Sequence, residues 1–230
     1  MHDHESSQPL TLVIPRRTLL KGSAALAAGA GSFGLPGHGL AAQTTRGATP
    51  VATPGASPVA TPVPVADYVP SALRTDEYAI LMAAVDRIIP PDDLGPGAAE
   101  MGAQVYIDRA LGSTKAGSLH AYQEGLKALD VAAGSGGFAA LAPDKQDELL
   151  TTTENGKLPG DPGGFFAMLV QDTREGVFSD PIHGGNANFA GWDLMGYPGI
   201  KLNWTEQDQQ INAKPKPEHI SVAKYQEAQS

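Results

Sequence analysis

Regularly spaced prolines divide this chain more sharply than any other feature. Between residues 43 and 70 the sequence repeats Ala-Thr-Pro and Val-Ala units, and prolines recur at every fourth position from Pro50 to Pro62. Proline has no backbone N–H to donate and clashes with the preceding helical turn, so this spacing disfavours both helix interiors and sheet ladders. We therefore predict a polyproline-like or disordered linker over residues 43–70. The folded domain must come after it.

The segment before the linker has the pattern of an export signal. Arg16 and Arg17 are followed by the apolar pair Leu19 and Leu20 and then by Lys21. The pattern resembles the bacterial twin-arginine signal. The Ala- and Gly-rich stretch that follows is only weakly apolar, which suits this export route, and it is short for a membrane span. The sequence therefore predicts the twin-arginine translocase as a partner.

Small residues mark the end of the predicted signal. Gly39 and Ala41 allow cleavage after Ala41, and cleavage after Ala42 is the close alternative. Retention of the segment as an uncleaved anchor stays open. We expect residues 1–42 to be the signal peptide and the protein to be periplasmic or attached to the cell envelope. Because the twin-arginine route exports folded proteins, often after cofactor insertion, the signal raises the question of which chain holds a cofactor.

Helical periodicity predicts the fold of the remaining sequence. Apolar residues recur at spacings of three and four, and no stretch shows the sustained alternation of a half-buried strand. The predicted helices cover residues 75–89, about 98–111, 116–132, 143–155 and 161–178. We therefore predict a small, mainly α domain of about five helices over residues 71–200. Residues 201–230 are polar and proline-containing, and we expect an extended or flexible tail.

The periodicity ends at Phe178, and residues 179–199 combine glycines and prolines with aromatic side chains. We expect a long loop rather than a helix. Its aromatics must pack on the domain itself or on another protein, and buried aromatics often anchor interfaces. For Trp192 the domain's own core is an equally weighted alternative. The predicted partner-interface residues are Pro181, His183, Gly184, Gly185, Asn186, Phe189, Trp192, Tyr197 and Pro198.

Composition excludes several classes of function. The chain has no cysteine, which excludes disulfides, thiolate metal sites, cysteine-ligated clusters, covalent c-type haem and thiol nucleophiles. The net charge of −9 has the wrong sign for a protein that neutralises phosphates, so we expect no nucleic-acid partner. Gly95-Pro96-Gly97 lacks the preceding strand of a dinucleotide fingerprint, and the sequence has no phosphate loop.

The sequence gives only weak support for any metal ligand or catalytic residue. The residues weighed were Asp92, Asp93, Asp180, His183 and Asp193, and none has the spacing of a known ligand motif. No serine is framed as a nucleophile elbow. We therefore assign no catalytic, cofactor-binding or metal-binding residue to this chain.

Several ordered motifs resemble the gluconate 2-dehydrogenase subunit 3 family. They are Ile88-Ile89-Pro90, Pro96-Gly97-Ala98, Thr173 to Phe178, Asp180 to Asn186, Gly191-Trp192 and Gly196-Tyr197-Pro198-Gly199. The resemblance covers about residues 75–199. It implies the small subunit of a periplasmic sugar or sugar-acid dehydrogenase.

The resemblance also implies partner subunits and a separate role for each subunit. The large partner would be a flavoprotein of the glucose-methanol-choline (GMC) type that holds FAD, and a multihaem cytochrome c often completes such complexes. The small subunit would carry the export signal and help its partner mature. Two alternatives stay open: a free-standing exported ligand-binding or stress protein, and a catalytic subunit whose site is not recognised.

Overall fold

The computed structural model describes residues 65–201, 203–214 and 216–227. Across these ranges it contains seven α-helices and no strand, which confirms the predicted mainly α class. The helices are α1 (Thr75–Ile88), α2 (Ala103–Leu111), α3 (Leu119–Ala133), α4 (Pro143–Glu154), α5 (Phe165–Phe178), α6 (Ala190–Met195) and α7 (Val222–Glu227). None of the helices in these ranges is long and apolar enough to cross a membrane. The predicted signal peptide and linker residues 43–64 lie outside the described residues.

Three of the predicted helix starts require correction. The second helix begins at Ala103 rather than near residue 98, because Gly102 precedes it with a left-handed φ of 80°. The fifth begins at Phe165 rather than 161, because Gly164 has a left-handed φ of 75°. A short 3-10 helix, Ala116–Ser118, precedes α3. In each case the turn chemistry of the preceding residues sets the boundary, whereas periodicity alone does not show it.

The core lies among the apolar faces of α1 to α5. Helix α1 buries the predicted stripe of Ile80, Leu81, Ala84, Val85 and Ile88. Tyr122 of α3 meets Phe165 of α5 edge to face, with ring centroids 5.5 Å apart. The close pairing of α2 with α5 completes this core. The outer face of α5 is left to line the surface.

A buried carboxylate ties the chain before α1 to this core. Asp108 of α2 accepts hydrogen bonds from the backbone N–H groups of Ser71 (2.7 Å), Ala72 (3.1 Å) and Leu73 (2.8 Å) and from the Tyr68 hydroxyl (2.6 Å). These contacts begin before residue 71, the predicted start of the domain. The last residues of the predicted linker are therefore part of the fold.

The same contacts determine the ionisation of the Asp108 carboxyl group. Burial by itself would raise the pKa of Asp108, but the hydrogen bonds from Ser71, Tyr68, Leu73 and Ala72 outweigh it and hold the pKa below its usual value. Burial and the neighbouring carboxylate raise the pKa of Tyr68 to about 12, so its hydroxyl stays a donor. Asp108 is therefore a charged acceptor within the folded domain.

Asp108→Asn tests this anchor. An amide keeps one acceptor oxygen but places an NH₂ group against donors, so we expect the free energy of unfolding at pH 7 to fall by about 2–4 kcal/mol. Because the folded-state pKa lies below the unfolded value, the contribution of Asp108 is complete above about pH 4 and is lost as pH falls below it. The difference between parent and variant in urea unfolding should therefore shrink towards pH 3.

Asp93→Asn is the matched control, since Asp93 is exposed in a turn. That variant should stay within about 0.5 kcal/mol of the parent. Equal stability of Asp108→Asn and the parent at pH 7, or a difference that persists unchanged at low pH, would show that the carboxylate does not hold the segment.

Candidate functional site

The residues after α5 form a surface segment with its own short helices. We call residues 181–199 the glycine–aromatic segment. It contains the 3-10 helices Pro181–His183 and Ala187–Phe189, followed by α6. The expectation of a loop without helix was therefore wrong for residues 190–195. The six residues of α6 make fewer than two turns, which is too short to register as helical periodicity in the sequence.

Asn186 fixes the path of this segment around the end of α5. Its side chain is fully buried. The amide group donates to the carbonyl oxygen of Ser179 (2.8 Å), and the amide oxygen accepts from the N–H of Gly191 (2.8 Å). One side chain thus satisfies a carbonyl that follows α5 and the N–H of a residue in α6, and it holds both together.

Two glycines allow the segment to pack directly on the backbone of α5. A Cβ atom added to Gly185 would lie 2.1 Å from the carbonyl oxygen of Gly176, and one added to Gly191 would lie 1.8 Å from that of Val177. Both distances are far inside van der Waals contact, so these positions admit only glycine. The Gly-Gly-Asn and Gly-Trp motifs are thereby explained as packing contacts within the chain.

Trp192 also holds the glycine–aromatic segment against the end of α5, on the buried side of the segment. Its side chain is only 4% exposed, and its indole N–H donates to the carbonyl oxygen of Phe178 (3.0 Å). The ring meets Tyr197 edge to face at 4.8 Å between centroids. Of the two alternatives for Trp192, the structure places the indole in the domain's own core, where it satisfies a helix-terminal carbonyl.

The nine predicted interface residues therefore separate into two groups. Five are buried within the chain and support the surface from beneath: Pro181, Gly184, Gly185, Asn186 and Trp192. These five have a structural role within the chain, and contact of the segment with a partner stays a prediction. Four reach the surface: His183, Phe189, Tyr197 and Pro198.

The C-terminal residues lie against the outer side of the segment. The ring of His219 stacks on Phe189 with centroids 4.9 Å apart, and its Nε2 lies 2.8 Å from a carboxylate oxygen of Asp193. The N–H of Glu218 donates to the carbonyl oxygen of Pro198 (2.8 Å). These contacts cover part of Phe189 and Pro198 and leave Tyr197 and His183 exposed.

Two surface hollows flank the outer face of α5. The first, which we call the α2 hollow, encloses about 760 Å³ between α2, the end of α5 and residues 179–183. The second, the α4 hollow, encloses about 990 Å³ between the end of α4, α5 and Met195. Glu175 and Phe178 line both. The hollows therefore meet at the last turn of α5, beside the glycine–aromatic segment.

The sequence reasoning did not identify the residues that line these hollows. Tyr106, Arg109 and Ala110 of α2 line the first one together with residues of α5. Their spacing of three and four places them on one helix face, and so does the spacing of three between Glu175 and Phe178. The sequence contains this periodicity, but residues that face the core have the same spacing. The periodicity therefore does not identify a surface hollow.

A single lysine pairs with two carboxylates beside the α2 hollow. Lys115 bridges Asp172 and Glu175, and the hydroxyls of Tyr106 and Tyr122 donate to Glu175 (2.8 Å) and Asp172 (2.7 Å) respectively. Burial would raise the pKa of Glu175, but Lys115, Gln171 and Tyr106 hold it below its usual value. Glu175 is thus charged and already paired on the floor of the hollow.

The residues weighed as metal ligands occupy separate places. Asp180 accepts from the N–H groups of Ile182 and Val222, whereas Asp193 pairs with His219. Asp92 belongs to a turn closed by backbone hydrogen bonds to Gly95. Within the three described ranges, no three histidine or acidic side chains are grouped so that they could hold a metal ion.

A family model, described as gluconate 2-dehydrogenase subunit 3, matches residues 75–199, which is more than half of the chain. The chain belongs to this family. Searches of curated proteins and of solved structures returned no match. The matched range starts at the first residue of α1 and ends with the glycine–aromatic segment, so the match covers helices α1 to α6 of this chain and the segment that follows α5. The family is named for a subunit of a dehydrogenase complex.

Trp192→Ala tests the structural role of the segment in this subunit 3 protein. Removing a buried indole that donates a hydrogen bond should lower the free energy of unfolding of the chain by about 3–5 kcal/mol. Trp204→Ala is the matched control, because Trp204 is 49% exposed in the C-terminal part. It should cost about 1 kcal/mol or less. Equal, small losses in thermal or urea unfolding would show that Trp192 is not part of the core.

Proposed function

We propose that this chain is the non-catalytic small subunit of an exported, FAD-dependent dehydrogenase of the GMC type. In this role it carries the export signal for a flavoprotein that has none, and it assists the maturation and stability of that partner. FAD and the sugar or sugar-acid chemistry reside in the partner, and a cytochrome c subunit is a further proposed member of the complex. The complex acts in the periplasm or at the cell envelope.

The single observation that carries this proposal is the family match over the entire helical domain. The pattern from Arg16 to Lys21 supports the export role. A domain without a dinucleotide fingerprint has little reason of its own to be folded before export, whereas a flavoprotein partner does. The proposed domain order follows from this: signal peptide (1–42), linker (43–70, its last residues packed on the domain), helical domain (71–200) and C-terminal residues (201–230).

The surface-reaching part of the glycine–aromatic segment is the proposed partner contact. His183 and Tyr197 are exposed, and Tyr197 is backed by the buried Trp192. A rigidly supported aromatic is the type of side chain that dominates protein interfaces. Gly185 and Gly191 hold the segment that carries Trp192 directly against the backbone of α5, which leaves that backbone little room to shift.

One observation favours a second candidate function. Hollows of about 760 and 990 Å³ are of the size that small-molecule ligands occupy, so a free-standing exported ligand-binding protein is the alternative. A neighbouring gene for a flavoprotein without a signal peptide separates the two, because only the subunit role requires such a partner.

The double substitution Arg16→Lys and Arg17→Lys tests the carrier role. The twin-arginine translocase reads the arginine pair, so we expect both this chain and its flavoprotein to remain in the cytoplasm. The measurements are cell fractionation followed by immunodetection of both subunits, together with dehydrogenase activity in the exported fraction.

Arg46→Lys, the same substitution in the linker, is the control and should leave export unchanged. If the flavoprotein still reaches the exported fraction in active form while this chain is retained, the two proteins do not travel together. The carrier role would then be wrong.

A further inference from the structure

Arg109 is a partly buried cation whose charge is not paired within the described residues. Its guanidinium lies 5.6 Å from the centre of the Tyr68 ring and lines the α2 hollow. Across residues 65–201, 203–214 and 216–227 its side chain forms no ion pair and no hydrogen bond. By contrast, Arg87 holds Asp147 with two hydrogen bonds, of 2.7 and 2.9 Å. A guanidinium offers five N–H donors, so Arg109 presents an unused donor set to the hollow.

Neither Glu175 nor Asp180, the carboxylates that line the hollow, forms an ion pair with Arg109. Glu175 is held by Lys115, Tyr106 and Gln171, and Asp180 accepts two backbone N–H groups. The Arg109 stem packs against Gly184, where an added Cβ would lie 3.0 Å from Cδ. The guanidinium is therefore positioned before any ligand arrives, which reduces the entropy lost on binding.

The two hollows meet at the last turn of α5 and differ in chemistry. Helix α5 has 14 residues, which corresponds to about 21 Å of length. The α2 hollow has the unpaired cation Arg109. The α4 hollow combines apolar side chains, which include Ala167, Val170 and Met195, with charged ones at its margin, which include Glu154, Asp161 and Arg174. We call the joined hollows the α5 trough. The α4 hollow follows α5 from Gly164 to Phe178, and together with the α2 hollow at the end of that helix it offers a surface long enough for a short polypeptide segment.

We infer that the α5 trough binds a segment of the dehydrogenase partner, with an acidic side chain that pairs with Arg109 and apolar side chains that cover Ala167 and Val170. This inference rests on the proposed function. The charge complementarity is specific, because a partly buried guanidinium that lacks a carboxylate gains most from one supplied across an interface, where the fork geometry permits two hydrogen bonds.

The test uses the full exported chain and its co-expressed flavoprotein. Affinity is measured by titration of the separated subunits at several salt concentrations. Arg109→Glu should weaken the complex by about a hundredfold, and Arg109→Lys, which keeps the charge but loses the fork, by about tenfold.

A second variant tests the α4 hollow. Ala167→Glu, at an exposed position of that hollow, should also weaken the complex by about tenfold or more. Lys127→Glu on the exposed side of α3 changes the net charge equally and should stay within about threefold.

The outcomes separate this inference from the proposed function. If the parent chain forms no complex with the flavoprotein, both fail. If the complex forms and both Arg109→Glu and Ala167→Glu bind as the parent does, the trough is not the docking site, although the subunit role stands. If Arg109→Glu alters the melting temperature of the chain, its weaker binding can reflect a change in folding. The affinity of Ala167→Glu is then the deciding measurement. Self-association of the parent chain that Arg109→Glu abolishes would assign the trough to a second copy and overturn the inference.

Discussion

The last turn of α5 is the point on which the functional half of this domain depends. A helix ends with carbonyl groups that have no partner inside the helix. Here the indole of Trp192 satisfies the carbonyl of Phe178, and the amide of Asn186 satisfies that of Ser179. Because Gly185 and Gly191 permit direct backbone contact, the chain turns tightly around this end. The outer face of α5, the two hollows and the exposed Tyr197 are all positioned by that turn.

Charged groups are distributed unevenly around this helix. Asp108 of α2 and Asp172 of α5 are buried and engaged by hydrogen bonds or by Lys115. Removing one member of such a set leaves a buried charge without compensation, so these groups serve the fold. On the outer side, Arg109 has no such engagement within the described residues. That contrast distinguishes a residue that stabilises the domain from one that is available to a partner.

The sequence predicted the parts of the fold that periodicity controls. The apolar stripe of α1 and its end before Pro90-Pro91 were visible, as was the proline at the start of α4. The starts of α2 and α5 were not, because left-handed glycines set them. The partner-interface assignment stays a prediction, and the sequence did not show which of its nine residues are buried. Whether Trp192 is buried depends on where the end of α5 lies in the fold, which the local sequence does not show. Arg109 could not be singled out from the sequence, because its lack of an ion-pair partner depends on which residues surround it in the fold.

Photo-cross-linking tests most directly the central claim that this subunit docks on a dehydrogenase through the surface beside α5. A photoreactive amino acid is placed at Tyr197 in one variant and at Val131, an exposed position of α3, in another. The account predicts that irradiation of the co-expressed complex links position 197, but not position 131, to the flavoprotein. A link from position 131 alone, or a flavoprotein that never co-purifies with the chain, would contradict it.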